Sequence, residues 1–131
     1  MNVAFFLTPK SITAYLTMGD SLRQGLEKLK FHGYTALPVI TSSGEYAGYI
    51  SEGDFLREIF RIGTIDTRDL EEITIDGLVH TDDIAVKITA SMEDLLSSFI
   101  DHNFVPVTDD TGAFIGIVTR RAVIKHLSKK K

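Results

Sequence analysis

Three short stretches carry side chains suited to holding charged or hydroxylated groups. Thr119-Arg120-Arg121 is the sharpest of them. A threonine is a good helix N-cap, and both arginines then fall in the first helical turn, where the macrodipole disfavours cations by about 0.3–1 kcal/mol each. A helix tip with free N–H groups and two guanidinium forks suits phosphate or another anion. The competing arrangement pairs the arginines with acids such as Asp109 or Asp110, or leaves them in water. Ser51-Glu52-Gly53-Asp54 is the second stretch. Its hydroxyl and its acid stand three residues apart, the spacing of a capping box. The same two side chains could touch a ligand, and the local pattern leaves both readings open. Lys10 is the third candidate, either a further cation for the site or a solvated loop lysine.

Other chemistry finds little support. His32, His80, His102 and His126 show no metal-ligand spacing, and His32 and His102 suit helix ends. No Walker-type glycine loop, nucleophile elbow or dinucleotide fingerprint occurs. The chain has no cysteine, which removes disulfides and thiol catalysis and fits a reducing cytosol. The net charge of −4 disfavours nucleic-acid binding by charge alone. Met1 to Leu7 lacks the basic flank and cleavage site of a secretory signal, and the apolar runs are too short to span a membrane. These features predict a cytoplasmic, non-enzymatic protein with no metal, no membrane and no nucleic acid. Its 131 residues, 44% hydrophobic and 24% charged, are those of one ordinary globular domain or two very small ones.

The elements that must position these residues come in two copies. Residues 37–51 lie over residues 105–119 with an offset of 68, and Pro38/Pro106, Gly44/Gly112, Gly48/Gly116 and Ser51/Thr119 coincide. Each copy reads as a short strand, a polar turn ending in glycine, and a second strand interrupted by glycine, a hairpin. Ahead of each hairpin a helix is predicted: Leu22, Leu26 and Leu29 with Asp20 or Ser21 as N-cap and Gly33 as C-cap, then Met92, Leu96 and Phe99 with Ser91 as cap. Here the offset is 70, so the second copy has lost two residues before its hairpin. Behind each hairpin a second helix is predicted, with Phe55, Leu56, Ile59 and Phe60, or Val123, Ile124 and Leu127, as its apolar face. Short strands are expected over 12–16 and 84–88, and residues 62–79 link the copies, with 73–75 a further short strand.

A doubled strand–helix–strand–strand–helix unit with these landmarks resembles the CBS domain pair, or Bateman module. The resemblance rests on Gly33-Tyr34-Thr35-Ala36-Leu37-Pro38-Val39 and on Gly44, Gly48, Tyr49, Ile50, Ser51 and Asp54, and covers nearly the whole chain. It implies an α/β (α+β) fold of two β-α-β-β-α repeats, 1–67 and 68–131, packed about a pseudo-twofold axis. It also implies clefts between the repeats that bind adenine nucleotides, homodimerisation, and no catalysis. Thr119-Arg120-Arg121, the Gly-Tyr-Thr-Ala loop and Lys10 look, more narrowly, like the small stand-alone CBS-pair proteins of Gram-positive bacteria that bind cyclic di-AMP.

Carried onto this chain, the resemblance makes Ser51 a phosphate contact and Asp54 a grip on ribose hydroxyls. A carboxylate can accept two hydrogen bonds from a cis-diol, each about 1.5–3 kcal/mol. Tyr34, Thr35 and Ala36 become base or ribose contacts. Ile12 and Pro38 line the same site, with Lys10, Thr119, Arg120 and Arg121 toward phosphate. The second copy has Ala122 where the first has Asp54. It also passes from Asn103 straight to Phe104, without residues matching Tyr34 and Thr35. One competent cleft is therefore expected, built mainly from the first copy. The expected ligand is cyclic di-AMP, or else AMP, ADP or ATP, sensed on behalf of a partner enzyme. The alternative is a ligand-free interaction module whose arginines and Asp54 are tied up in internal salt bridges.

Overall fold

The computed structural model describes residues 1–32 and 35–129. The expected cap Gly33, the expected ligand contact Tyr34, and Lys130 and Lys131 lie outside them. The described chain forms two compact units, residues 14–82 and residues 1–13 with 83–131.

In the 14–82 unit, β2 (Leu16–Thr17), β3 (Ala36–Ile40) and β4 (Tyr46–Ser51) form one sheet in the order β2-β3-β4. β2 runs parallel to β3, and the β3–β4 hairpin is antiparallel, with Ala36 opposite Ser51 and Pro38 opposite Tyr49. Two helices pack on this sheet, α2 (Leu22–His32) and α3 (Glu52–Ile62). Ser21 caps α2: its hydroxyl accepts the Gln24 N–H at 3.1 Å while the Gln24 side chain accepts the Ser21 N–H at 2.8 Å. Two of the orphan donors at a helix start are satisfied in this way. Leu16, Leu22, Leu37, Val39, Ile50, Phe55 and Ile75 form the core. Burying such a side chain stabilises by roughly 1.5–3 kcal/mol. The segment behind α3 is partly ordered, through α4 (Thr67–Glu72) and a 3₁₀ turn, Asp76–Leu78.

The other unit repeats the arrangement. Its sheet runs β1 (Thr8–Pro9), β7 (Phe114–Thr119), β6 (Phe104–Thr108), β5 (Val86–Lys87). α5 (Met92–Ser98), α6 (Arg120–Ser128) and a short α1 (Val3–Phe6) complete it. The core is Val3, Phe6, Leu95, Phe99, Val105, Val107, Val118 and Val123. The expected repeat boundary at 67/68 and the compact units divide the chain differently. Residues 1–13 join the second hairpin because Thr8 and Pro9 pair with Ile117 and Gly116. Residues 68–82 stay with the first because His80 pairs with Tyr49. The two edges are equivalent. A Cβ at Gly48 would stand 2.1 Å from the His80 carbonyl oxygen, and one at Gly116 2.1 Å from that of Thr8. The doubled glycine marks a backbone laid directly on the strand.

The structure corrects several expected details. Residues 10–12 form a 3₁₀ turn, and only Leu16–Thr17 pairs as a strand. Of residues 73–75, Thr74 makes a lone bridge to Ser21. The apolar face of α3 is Phe55, Ile59 and Ile62, one stripe at helical spacing. Leu56 and Phe60 lie on the next stripe round and are 62% and 90% exposed. In α6 only Val123 is buried, and in α5 Leu95 is buried while Leu96 is exposed. The two residues missing from the second copy do not shorten the loop before its hairpin. α2 has 11 residues and α5 has 7, residues 99–103 form the connection, and Asn103 takes the place of Thr35. Both carbonyls accept the first N–H of the following helix at 2.9 Å, Thr35 from Glu52 and Asn103 from Arg120.

Candidate functional site

In the 14–82 unit the candidate residues gather where β4 passes into α3. Ser51 is the N-cap, with extended backbone angles, and forms a full capping box with Asp54. Asp54 is 7% exposed and takes four donors: the Ser51 N–H at 2.8 Å, the Ser51 hydroxyl at 2.8 Å, His80 Nε2 at 2.9 Å and Arg57 Nη2 at 2.6 Å. A carboxylate accepts only, so His80 must carry its proton on Nε2. The imidazole also stacks on Tyr49, with centroids 4.9 Å apart and planes 21° from parallel. Its backbone fixes it there: the His80 N–H donates to the Tyr49 carbonyl at 2.9 Å and the Tyr49 N–H to that of His80 at 3.1 Å. Burial pushes the Asp54 carboxyl up, but the Ser51 N–H, the His80 ring and the Ser51 hydroxyl outweigh it and hold the group below the ordinary aspartate value. Burial also pushes the Tyr49 phenol up, helped by the nearby charges of Asp82 and Asp54.

The direction of the Asp54 shift gives a signed expectation. A carboxyl depressed in the folded state stabilises that state above its unfolded value of about 3.9, and the contribution is lost as pH falls through the lower folded value. Urea midpoints of the wild type and Asp54→Asn should differ clearly at pH 6 and converge toward pH 2.5. A gap that does not narrow as pH falls would show that charge plays no part.

Thr35, Ala36 and Pro38 belong to the same neighbourhood. Thr35 is exposed, Ala36 is half-buried opposite Ser51, and Pro38 is buried within β3. The structure therefore brings Thr35, Ala36, Ser51 and Asp54 together, with Ser51 and Asp54 in capping roles.

The 1–13/83–131 unit has the equivalent place at the β7–α6 junction, built from different side chains. Thr119 is the N-cap, its hydroxyl accepting the Ala122 N–H at 3.1 Å. No acid stands in the first turn of α6. Arg120 Nη1 donates to the Phe99 carbonyl at 3.1 Å, closing the end of α5. Arg120 and Arg121 are both exposed. Neither is in an ion pair among the described residues. Asp109, a partner weighed for them, spends one carboxylate oxygen within its own turn, on the Thr111 N–H at 2.8 Å, the Thr111 hydroxyl at 2.7 Å and the Ala113 N–H at 3.0 Å. Thr8 occupies the strand position that His80 has in the other unit, and Ala122 the position of Asp54. Lys10 and Ile12 lie on the 3₁₀ turn after β1. β1 is antiparallel to β7, with Thr8 opposite Ile117 and Pro9 opposite Gly116. By that register the chain leaves the Thr119 end before it reaches Lys10. Ile12 is 71% exposed there.

Sequence reasoning missed His80 and Arg57. Arg57 carried a local signal, three residues from an acid on a helix. His80 carried none, standing 26 residues from Asp54 and just past what reads as a linker.

The sequence profile of the CBS domain matches the chain twice, over residues 7–61 and 62–129. Cyclic di-AMP receptor B of Bacillus subtilis (strain 168) is 32% identical over 128 residues, which span 98% of this chain and 87% of that protein. Among solved structures, a CBS domain-containing protein from Bacillus anthracis is 30% identical with a TM-score of 0.87, over 100% of this chain and 95% of that one. The CbpB protein of Listeria monocytogenes in complex with cyclic di-AMP is 28% identical with a TM-score of 0.84, over 97% and 95%. Two strand–helix–strand–strand–helix units, each with its glycine under a crossing strand and its capped helix behind the hairpin, place this chain in the CBS domain family, as a CBS pair.

Proposed function

We propose that this protein is a non-catalytic cytosolic receptor for cyclic di-AMP, working as a homodimer and reporting ligand occupancy to a partner protein. The observation that carries the reading is the acid-free, doubly basic helix tip Thr119-Arg120-Arg121. Two cations at a helix N-terminus act against the stability of the helix, and a phosphodiester is a natural counter-charge for them. Cyclic di-AMP has two such groups and two adenines. Thr119, Arg120 and Arg121 serve the phosphates. A relative named as a receptor for this ligand and a solved complex with it support the choice. Binding signals only through unequal affinity for two states of the protein or its dimer.

One observation favours the rival, a ligand-free interaction module: Asp54 is held by its own neighbours. That module would also need both arginines in internal salt bridges, and among the described residues neither is. A thermal-shift panel of cyclic di-AMP, AMP, ADP and ATP separates the two. Ligand at a hundred times its dissociation constant adds about 2.7 kcal/mol, roughly ten degrees for a chain of this size. A rise with cyclic di-AMP is expected; no shift with any of the four would defeat the receptor reading.

A further inference from the structure

Resting on the reading that occupancy is reported to a partner protein, we propose that this partner docks on the flank of α5 marked by Glu93, Leu96 and Ile100, laying a short amphipathic helix with a basic residue along it. The repeat supplies the pattern. In the 14–82 unit α4 lies against α2. Leu70 of α4 is 4% exposed and joins the core, and Leu26 of α2 packs against the same core. Arg23 of α2 forms an ion pair with Glu71 of α4. The chain after α4 is tied to the start of α2, where the Leu22 N–H donates to the Ile73 carbonyl at 2.8 Å.

With the offset of 70, Glu93, Leu96 and Ile100 stand where Arg23, Leu26 and Lys30 stand along α2. Spacings of three and four keep them on one side of the helix. Counted back from the crossing strands, Thr8 matches His80 and α1 matches the turn Asp76–Leu78, so no described helix of this unit matches α4. The flank is bare: Leu96 is 45% exposed and Ile100 80%. Ile100 stands where the other copy has a lysine, so apolar surface is added on the side that has no helical cover. Charge names the occupant. Glu93 reverses the sign of Arg23, Asp94 follows it in the first turn of α5, and the last turn has no basic residue. A helix seated as α4 is seated needs a lysine or arginine in the place of Glu71 and an apolar anchor in the place of Leu70, an amphipathic helix laid along an apolar stripe with an opposite charge beside it.

The test uses the full chain, followed by amide NMR, and two synthetic peptides of residues 64–75, one unaltered and one carrying Glu71→Lys. The Glu71→Lys peptide should bind at millimolar concentration and shift the amide signals of residues 92–100. The unaltered peptide, whose Glu71 would face Glu93, should bind about threefold more weakly. Glu93→Arg in the protein should reverse that order, which a loss of folding would not do. Leu96→Asp should abolish both, with the melting temperature within a few degrees of the wild type because the side chain is exposed. Shifts absent from residues 92–100 with both peptides overturn the proposal, and so does an order that Glu93→Arg leaves unchanged. Signals of residues 92–100 that move with protein concentration alone, and no longer do so in Leu96→Asp, would assign the face to a second copy of the chain and overturn it as well. Cyclic di-AMP binding is read separately by thermal shift: its absence would defeat the receptor reading, with the peptide comparison still deciding the docking face.

Discussion

Alanine at both Arg120 and Arg121 should weaken cyclic di-AMP binding by ~10²–10⁴-fold in calorimetry, from two charge-assisted hydrogen bonds of about 1.5–3 kcal/mol each. The same variant should not be less stable for lack of the charges. Each arginine stands where the helix dipole opposes a cation, so its removal should return about 0.3–1 kcal/mol. Against that stands the bond from Arg120 to the Phe99 carbonyl, and an ordinary hydrogen bond is worth about 0.5–1.5 kcal/mol net. The melting temperature of the unliganded double variant should therefore lie within a few degrees of the wild type while affinity collapses. Lysine at both positions keeps the charge and loses the planar forks, so it should fall between the two, with a steeper relative loss as salt rises. An alanine variant that binds within twofold of the wild type would mean the phosphates are held elsewhere.

The arginines were legible in the sequence because they break a local rule. Basic residues after a capping threonine are locally unfavourable, and such conflicts are expected at functional or strained sites. The hairpins were legible for a related reason. At Gly48 and Gly116 a crossing carbonyl leaves no room for a Cβ, so backbone geometry dictates the residue type twice, 68 positions apart. What stayed hidden depended on contacts between distant segments. Nothing near His80 shows that it returns to β4 and covers Asp54. The apolar runs in α3 and α6 revealed a helix but not which stripe faces inward: Leu56 and Phe60 look like core by composition, yet only Phe55, Ile59 and Ile62 share the azimuth of the sheet. Likewise a loss of two residues reads in an alignment as a shorter loop. The chain instead ends α5 early, because the Thr35 and Asn103 carbonyls are both needed to receive the first N–H of the next helix.

The two copies also solve one packing problem in two ways, and the difference yields the largest stability effect expected here. Gly25 on α2 is buried under Phe55. A Cβ at position 25 would meet Phe55 Cζ at 2.5 Å, Phe55 Cε1 at 2.6 Å and Leu16 Cδ1 at 3.4 Å. At 1% exposure the Phe55 ring lies inside the core, so a displacement must push on its neighbours there. In the other unit the matching positions hold Leu95 and Val123, both buried. Bulk has moved from the helix behind the hairpin to the helix before it. Gly25→Leu alone should destabilise by about 3 kcal/mol, since overpacking outweighs the ~1 kcal/mol that leaving glycine returns to a helix interior. Phe55→Val alone should cost ~2–4 kcal/mol through the cavity it opens. Together they recreate the Leu95–Val123 solution, and the double variant should be more stable than either single one, with an interaction energy of about 2–3 kcal/mol in urea denaturation. Additive losses would show that the two cores are alike in sequence pattern but not in packing, because each volume change would then be felt without reference to the other.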